Sequence, residues 1–559
     1  MSIVLDDKLI VDSRMCLSAE GKAIEIQRGA TNLSVNLTNS QQASNSTIVW
    51  TPQLPKGRIV VDPLMLVQIP IQVTVTANGL TGQNVDTYIS NNFALRQYPV
   101  NSVLNNISLT LNNQTISSQP YQWINELSRF ESIDYQNSAL RQSLWPIMPD
   151  ASPQYSDLAG SGKSPLLSYE SGTDIYANPR GVFNSSFQLV SSDNNTYVFN
   201  TTLIEPLMVP ILDYDPSKKR VGLPHLNSMQ LQLTFLSNLS RMFSLDADTC
   251  PLISGVTVNI QGPAVLRQQW LTVPVNLPIP SVNIRSFNSL TCIPSQVASF
   301  NAGEQRIITS QSLTFNQIPK KIWVYVREAQ IDSVNAYQNT DTCFSIQKAV
   351  VTFNNKTGLL SNMSSADLYL TQEAEKGSVI SYTAAQNYVG DVLCIDPVES
   401  FGLADDETSS IAGNFQFLIE LTATNLKNST VLPAIYIVYA NDTIASLNEN
   451  ADMTLQQNFV KREYVLQASS LTPYPAKFMT GDMYGGAFWD SVKSGLSKAW
   501  DFIKNNQLIS KAAKLASNVP MLAPVASTVG NVAQAVGLGY GGKKMTRRQM
   551  LKQQQYLAY

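Results

Sequence analysis

The chain has 559 residues and a formal net charge of −3. This length is sufficient for two cores, because single cores stop growing at roughly 250–300 residues, and the charge provides no overall basic field for nucleic acid. Charged residues make up 14% of the chain, below the usual ~25%, so we predict a weakly charged surface that favours packing against neighbours over a dispersed monomer.

The start of the chain predicts an N-terminal arm, residues 1–22, and no secretion signal. In "MSIVLDDKLIVDS", Asp6 and Asp7 interrupt the apolar run that a signal peptide needs. The cysteines are odd in number, scattered and without CxxC spacing, which indicates reduced thiols in a protein made inside a cell. They are Cys16, Cys250, Cys292, Cys343 and Cys394.

Residues 23–250 are predicted to form a first β domain. Segments such as "RIVVDPLMLVQIPIQVTVT" and "SVLNNISLTL" are rich in β-branched residues and bounded by Asn, Gly and Pro. A helix is predicted over 118–133, with Ser118 as its cap and Pro120 in its first turn. A long loop-like region, 134–180, follows it.

Residues 251–480 restart the pattern and predict a second copy of the domain. A strand, an Asn-Asn turn, a short link and a helix occur in the same order in both halves, and Asn112 and Asn354 mark the two turns. The second helix is predicted over 364–376. Likewise, "QLPKGRIVV" in the first half resembles "QIPKKIWVYV" in the second. The predicted fold is therefore all-β, with two tandem eight-stranded jelly-roll sandwiches, inserted short helices and a helical C-terminal tail.

Catalytic and metal chemistry have few candidate residues. His225 is the single histidine, and its loop contains no nucleophile motif, so we expect a structural role. The acidic stretches 245–249 and 403–410 lack the full spacing of a calcium loop and are predicted to be solvated turns. We therefore predict no catalytic residue, no metal and no cofactor, and a protein that is not an enzyme.

The last residues change character after a linker at 481–486. Residues 487–559 begin with "AFWDSVKSGLSKAWDFIK", which has apolar side chains at helical spacing and lysines around the polar face. This pattern predicts a helix at a membrane interface, although a helix packed on a neighbouring subunit is the alternative. The predicted membrane face consists of Phe488, Trp489, Val492, Leu496, Trp500 and Ile503.

The end of the chain is basic and has no acid among its charges. This composition indicates either a contact with packaged nucleic acid or a solubilising terminus. The residues are Lys543, Lys544, Arg547, Arg548 and Lys552.

Tandem jelly rolls of low charge, each with a helix-bearing insertion, resemble the double jelly-roll major capsid proteins. That group includes adenovirus hexons and the capsid proteins of virophages, polinton-like viruses and large DNA viruses, and the resemblance covers roughly residues 20–480. It implies homotrimers of pseudohexagonal outline that tile an icosahedral shell, within the virion of a DNA virus. The implied partners are further copies of the chain and penton or minor capsid proteins.

The linker resembles the site cut by adenovirus-type maturation cysteine proteases. Met483, Gly485, Gly486 and Ala487 match that motif, which implies a viral protease as partner and maturation cleavage after Gly486. The helix behind the site resembles the start of the membrane-lytic internal protein of adenoviruses. A flexible hinge is the alternative interpretation of the two glycines.

Two other functions remain open from the residues. A lectin-like or adhesin β-sandwich is the main alternative, but it would be expected to have a signal peptide and paired cysteines. A jelly-roll glycosidase would need two carboxylates across a groove, and the sequence does not place such a pair.

Overall fold

The structure is a computed structural model of the chain. It describes residues 9–10, 25–26, 33–54, 58–78, 93–130, 188–193, 195–212, 222–245, 253–273, 279, 281–329, 344–376, 382–404, 407–427, 429–460 and 462.

Strands account for most of the described residues. Strands β1 to β17 have, in chain order, the bounds Leu9–Ile10, Glu25–Ile26, Leu33–Asn39, Gln42–Ala43, Thr47–Trp50, Ile59–Val61, Leu66–Ala77, Phe93–Leu95, Leu104–Leu111, Gln114–Ser118, Gln188–Asp193, Thr196–Pro206, Leu223–Pro224, Met229–Phe235, Phe243–Leu245, Ile253–Ile260 and Val265–Thr272. Strands β18 to β27 have the bounds Val282–Gln296, Gln305–Thr309, Leu313–Gln317, Lys321–Glu328, Ser345–Phe353, Lys356–Leu359, Val392–Ile395, Ala412–Thr424, Pro433–Asn448 and Met453–Gln457.

The helices are short. Helices α1 to α4 have the bounds Ile124–Leu127, Ser365–Lys376, Tyr382–Ala384 and Pro397–Ser400. Single 3₁₀ turns lie at Asn101–Val103, Pro120–Gln122, Ser128–Phe130 and Leu239–Met242, and a π-helical turn at Ala385–Val389.

The first half of the chain forms a sandwich that we call roll 1. Sheet 1A has the strand order β10-β9-β14-β5-β4, and sheet 1B has the order β11-β12-β7-β17-β6-β13, with β16 paired to β7 and β3 to β17. Strand β7 alternates buried and half-buried residues, so Ile69, Ile71 and Val73 face the same core as Ile107 and Leu109 of β9. Roll 1 is therefore two sheets around one apolar core.

Two strands that were predicted to open the second domain belong to roll 1. Strand β16 pairs with β7 over Ile253 to Ile260, and β17 pairs with β3, β6 and β7. The predicted boundary at 250/251 is therefore too early. The error has a physical reason: the return strand of a jelly roll has the same alternating pattern as the first strand of a new domain.

The second half forms roll 2 with equivalent pairings. Sheet 2A has the order β19-β25-β22-β23, with β20 paired to β25, and sheet 2B has the order β18-β26-β21-β24, with β27 paired to β26. Aromatic rings from the two sheets meet in the core, where the ring centroids of Phe315 on β20 and Tyr439 on β26 are 4.8 Å apart.

The predicted repeat is present in both rolls. The hairpins β9–β10 and β22–β23 both turn at Asn-Asn, and the first asparagine has a positive φ of 52° at Asn112 and 54° at Asn354. Asparagine tolerates this left-handed conformation better than most residues. In both rolls the hairpin strand pairs with a long strand, β14 or β25, which in turn pairs with β5 or β20. The next strands, β6 and β21, then pair with β17 and β26 in the opposite sheet.

Among the residues that the structure describes, no helix is both long and apolar enough to cross a membrane.

Candidate functional site: the contact between the two rolls

The segment that follows the first hairpin is helical but broken. The sequence predicted one helix over 118–133, whereas the structure has three successive short turns from Pro120 to Phe130. Pro120 occupies the first turn as predicted, but Ser118 ends strand β10 and does not cap the helix. Trp123, Ile124 and Phe130 of this segment are buried, so packing compensates for its poor helical regularity.

The surface that receives this segment is the outward face of sheet 2B. Along β21, Ile322 and Val324 face the core of roll 2, and the alternate residues Trp323, Tyr325 and Arg327 face roll 1. Strand β21 therefore has apolar side chains on both faces. An antiparallel sheet more commonly has one face packed on a core and the other exposed to solvent.

The apolar part of the contact is a single cluster that contains residues of both rolls. We call it the roll contact. Its buried members are Leu66, Tyr98, Trp123, Ile124, Phe130, Met208, Tyr325, Val392, Cys394, Ala434, Tyr436 and Val438.

A buried ion pair crosses the roll contact. Arg327 Nη1 lies 2.8 Å from Glu126 Oε1, and the two side chains are 3% and 0% exposed. Arg327 Nη2 also donates to the Tyr121 carbonyl at 2.9 Å, and the guanidinium lies 4.7 Å from the ring centroid of Tyr436. These additional partners matter, because a buried ion pair offsets its desolvation only when its geometry and hydrogen bonds are good.

Further hydrogen bonds between side chains and backbone carbonyls connect the two rolls. The Tyr325 hydroxyl donates to the Gln122 carbonyl, and its burial raises the pKa of the phenol well above the ordinary range. Arg129 Nη1 donates to the Gly390 carbonyl at 2.8 Å. Burial also raises the pKa of the Cys292 thiol to about 12, so this cysteine stays a thiol at neutral pH and is poorly reactive.

One buried carboxyl group organises the loop beneath the contact in roll 1. Glu205 accepts the backbone N–H groups of Val100 at 2.6 Å and Asn101 at 3.0 Å. It also accepts the Asn101 side-chain amide at 2.8 Å. Complete burial nevertheless outweighs these bonds and raises the pKa of Glu205 to about 7.

A second buried carboxyl group has a similar role in roll 2. Asp391 accepts the Ile346 N–H at 2.6 Å and the Gln386 side-chain amide at 2.7 Å. Burial raises the pKa of Asp391 to about 6, although these bonds and the nearby Arg129 charge oppose the shift.

The residues predicted from the tail fall outside the described part of the chain. This applies to the protease motif (Met483, Gly485, Gly486 and Ala487), the membrane face (Phe488, Trp489, Val492, Leu496, Trp500 and Ile503) and the basic end (Lys543, Lys544, Arg547, Arg548 and Lys552). These assignments stay predictions.

Of the remaining sequence candidates, His225 and most of the acidic stretch 403–410 are described, whereas residues 246–249 of the other acidic stretch lie outside the described residues. His225 has a φ of 60°, and its carbonyl accepts the Asn112 side-chain amide at 3.0 Å, so its backbone supports the first hairpin. Within the described residues, no three His, Cys, Asp or Glu side chains come together as a metal site. In the acidic stretch 403–410, Glu407 accepts the Ala404 N–H at 3.1 Å, which closes a local turn.

The roll contact itself was not predicted. Its signals are present in the sequence, since "KIWVYVRE" is apolar on both strand faces and "WINELSRF" has charged residues inside a strongly apolar segment. Neither signal identifies its partner, because Glu126 and Arg327 are 201 residues apart.

Two family models match consecutive parts of the chain. The model described as "Sputnik virophage major capsid protein 1st domain" matches residues 5–275, and the one described as "Major capsid protein V20 C-terminal domain" matches residues 287–443. The chain is also 26% identical over 530 residues to the "Putative capsid protein V20" of Sputnik virophage, which covers 88% of this chain and 87% of that protein.

Solved structures show the same fold. A chain of the Sputnik virophage cryo-EM structure matches with a TM-score of 0.72 and 22% identity, covering 82% of this chain and 95% of the other. The mavirus major capsid protein matches with a TM-score of 0.65 and 13% identity, covering 79% and 92%. The predicted tandem jelly-roll class is confirmed, and the molecule is a double jelly-roll viral capsid protein. Consecutive parts of the chain are thus similar to virophage major capsid protein domains, in agreement with a structural role in the virion.

Proposed function

We propose that three copies of this chain associate into a pseudohexagonal trimer, and that these trimers tile an icosahedral shell. The observation that supports it best is the repeated strand pairing of rolls 1 and 2, since three copies of two similar sandwiches present six similar corners to their neighbours. The low charged fraction of 14% also favours close packing of like subunits.

The test is the size and outline of the purified full chain. Size-exclusion chromatography and negative-stain imaging are expected to give pseudohexagonal particles at three times 61.5 kDa. A chain that stays monomeric at all accessible concentrations would refute the assembly proposal.

We propose further that a viral cysteine protease cuts the chain after Gly486 and releases residues 487–559 inside the particle. The support is the match of Met483, Gly485 and Gly486 to the protease motif, directly before a segment with apolar aromatic residues at helical spacing. A released helix can reach a membrane interface, where each large apolar side chain contributes about 1.5–3 kcal/mol before ordering costs.

Cleavage is tested by mass spectrometry of purified particles. A body of residues 1–486 and a peptide starting at Ala487 are expected, and Gly486→Leu is expected to permit assembly but block release. Gly481→Leu is the matched control, because it alters a glycine of the same linker outside the motif. Particles that contain only the 559-residue chain would refute cleavage.

Membrane activity is tested with the released segment. A peptide of residues 487–505 is expected to cause leakage of liposome contents, whereas the version with Trp489→Ser and Trp500→Ser is not. Equal leakage by both peptides would refute the assigned aromatic face.

The basic end is proposed to contact packaged nucleic acid, and penton or minor capsid proteins are proposed as partners in the shell. A peptide of residues 539–559 is expected to bind DNA with an affinity that falls as salt rises. Replacement of its five lysines and arginines by glutamine is expected to abolish that binding, and retained binding would refute the electrostatic contact.

A further inference from the structure

Large apolar side chains are exposed on two elements whose counterparts form the roll contact. Val35 and Leu37 on β3 are 50% and 58% exposed, and Leu370 on α2 is 57% exposed. Single exposed apolar residues are common on protein surfaces. These three are informative because of where the repeat places them.

Strand β3 has the same position in sheet 1B that β18 has in sheet 2B. Strand β3 pairs with β17, which pairs with β6 and β7, and β18 pairs with β26, which pairs with β21. On the outward face of sheet 2B, Cys292 of β18, Val438 of β26 and Trp323 of β21 lie side by side and are all part of, or packed against, the roll contact.

The matching row on the outward face of sheet 1B is only partly covered. Leu37 of β3 lies opposite Arg267 of β17, which lies opposite Leu66 of β7. Leu66 is buried in the roll contact, whereas Leu37, two strands away at roughly 10 Å, is open to solvent. The apolar face at β3 therefore continues an interface that already exists within the chain.

Helix α2 has the same position in roll 2 that the segment 120–130 has in roll 1, because each follows its Asn-Asn hairpin. Its start is fixed by a capping box, in which the Asp367 N–H donates to Ser364 Oγ at 3.2 Å and Asp367 Oδ2 accepts the Ser364 N–H at 3.0 Å. Leu370 lies one turn after Asp367, so the two share a face of the helix. This helix face complements the outward face of sheet 1B. Asp367 matches Arg267 of β17 in charge, and the apolar Leu370 matches Leu37 of β3.

We propose that α2 of one copy packs against the outward face of β3 in a neighbouring copy. The contact would repeat, between chains, the packing of roll 1's helical segment on roll 2's sheet within the chain. It is heterologous, since one copy gives the helix and the next gives the sheet, and such contacts close rings when the rotation permits. This proposal rests on the proposed assembly of identical copies, and it adds the surfaces that meet.

The first test joins the two surfaces covalently in the full chain. Chains with Leu37→Cys and chains with Leu370→Cys carry different tags, are co-expressed and are mildly oxidised. A covalent dimer with both tags is expected on a non-reducing gel, whereas either form expressed alone is expected to stay at the wild-type background. Oligomers that carry both tags without the crosslink would overturn the proposed contact and leave the assembly proposal intact. Absence of any oligomer in the wild-type chain would refute both.

The second test removes the apolar surface without removing the fold. The double substitution Val35→Thr and Leu37→Thr keeps β-branched or β-compatible side chains on β3, and Leu370→Gln keeps a good helix former. Each is expected to raise the dissociation constant of the oligomer about tenfold or more. Ile307→Thr is the control, because Ile307 on β19 is 60% exposed but lies in sheet 2A. Equal effects of the control and the β3 variant, measured by mass photometry with circular dichroism to verify folding, would overturn the assignment.

Discussion

The two helical insertions occupy equivalent places in the repeat, yet their surroundings differ. In roll 1 the segment 120–130 is covered by sheet 2B and contains a buried carboxylate, Glu126. In roll 2, helix α2 is a regular capped helix that exposes Leu370. The same supersecondary unit therefore forms an internal contact in one copy and leaves an apolar surface in the other.

This difference matches two stages at which a contact can form. A contact made while the chain folds can bury an ion pair, because Glu126 and Arg327 never need to be separated in the native protein. A surface used later must stay soluble while it is uncovered, so it is limited to a few apolar side chains beside charged ones such as Asp367. Substitutions in the roll contact therefore test folding, and substitutions on the exposed surface of α2 test assembly.

Loss of one partner of the buried ion pair is expected to have the largest effect. Arg327→Met removes the guanidinium from the buried Glu126 carboxyl group, which costs about 3–5 kcal/mol in the free energy of unfolding. The double variant with Glu126→Leu removes both charges and is expected to recover most of that loss. Urea denaturation of the four proteins measures the coupling.

The control for this double-mutant cycle is an ion pair exposed to solvent in the same chain. Lys320 lies 3.6 Å from Asp442, and Lys320 is 47% exposed, so Lys320→Met is expected to cost less than about 1 kcal/mol. A double variant no more stable than Arg327→Met would contradict the view that the loss comes from the buried Glu126 carboxyl group left without Arg327.

Truncation of a large apolar side chain is expected to reduce the free energy of unfolding much more in the segment 120–130 than in helix α2. Trp123 is buried in the roll contact, so Trp123→Ala should destabilise the chain by about 3–5 kcal/mol. Leu370→Ala should change the stability of the unassembled chain by less than about 0.5 kcal/mol, because its side chain is exposed. Denaturation at concentrations below assembly measures both, and similar losses would remove the asymmetry between the copies.

The sequence is most informative where the structure is local. The Asn112 and Asn354 turns, the alternation of β7 and the capped helix over 364–376 each depend on residues within one element, and each is found where it was predicted. Tertiary packing determines what was missed. The segment 120–130 is held by the surface it covers, so its short turns do not follow a regular helical pattern. Strands β16 and β17 look like any other strands until their partners in sheet 1B are known.

The carboxyl groups beneath the roll contact are expected to make stability depend on pH. The pKa of Glu205 is raised by burial from 4.5 to about 7, so the folded state binds its proton more tightly than the unfolded state. Its stabilising contribution is therefore complete below about pH 4.5 and is lost as the pH rises towards 7. Between pH 5 and 8 we expect wild-type stability to fall by about 2 kcal/mol more than that of Glu205→Gln. Denaturation at several pH values measures this difference, and parallel profiles would assign the pH dependence to other groups.

The smallest expected difference separates the two hairpin turns themselves. Glycine accepts the positive φ of both asparagines, so Asn→Gly substitution isolates the side-chain bonds. The Asn112 side chain accepts the Asn227 N–H at 2.8 Å and donates to the His225 carbonyl at 3.0 Å, so it connects the hairpin to the loop before β14. At Asn354 the backbone N–H donates to the Gln416 carbonyl at 2.7 Å, and glycine retains that bond.

Asn112→Gly is therefore expected to lower the free energy of unfolding by about 1–2 kcal/mol, and Asn354→Gly by less than about 0.5 kcal/mol. Thermal unfolding of the two variants measures the difference, and equal losses would mean that the conformation of the turn, and not its side-chain bonds, determines the stability of both hairpins.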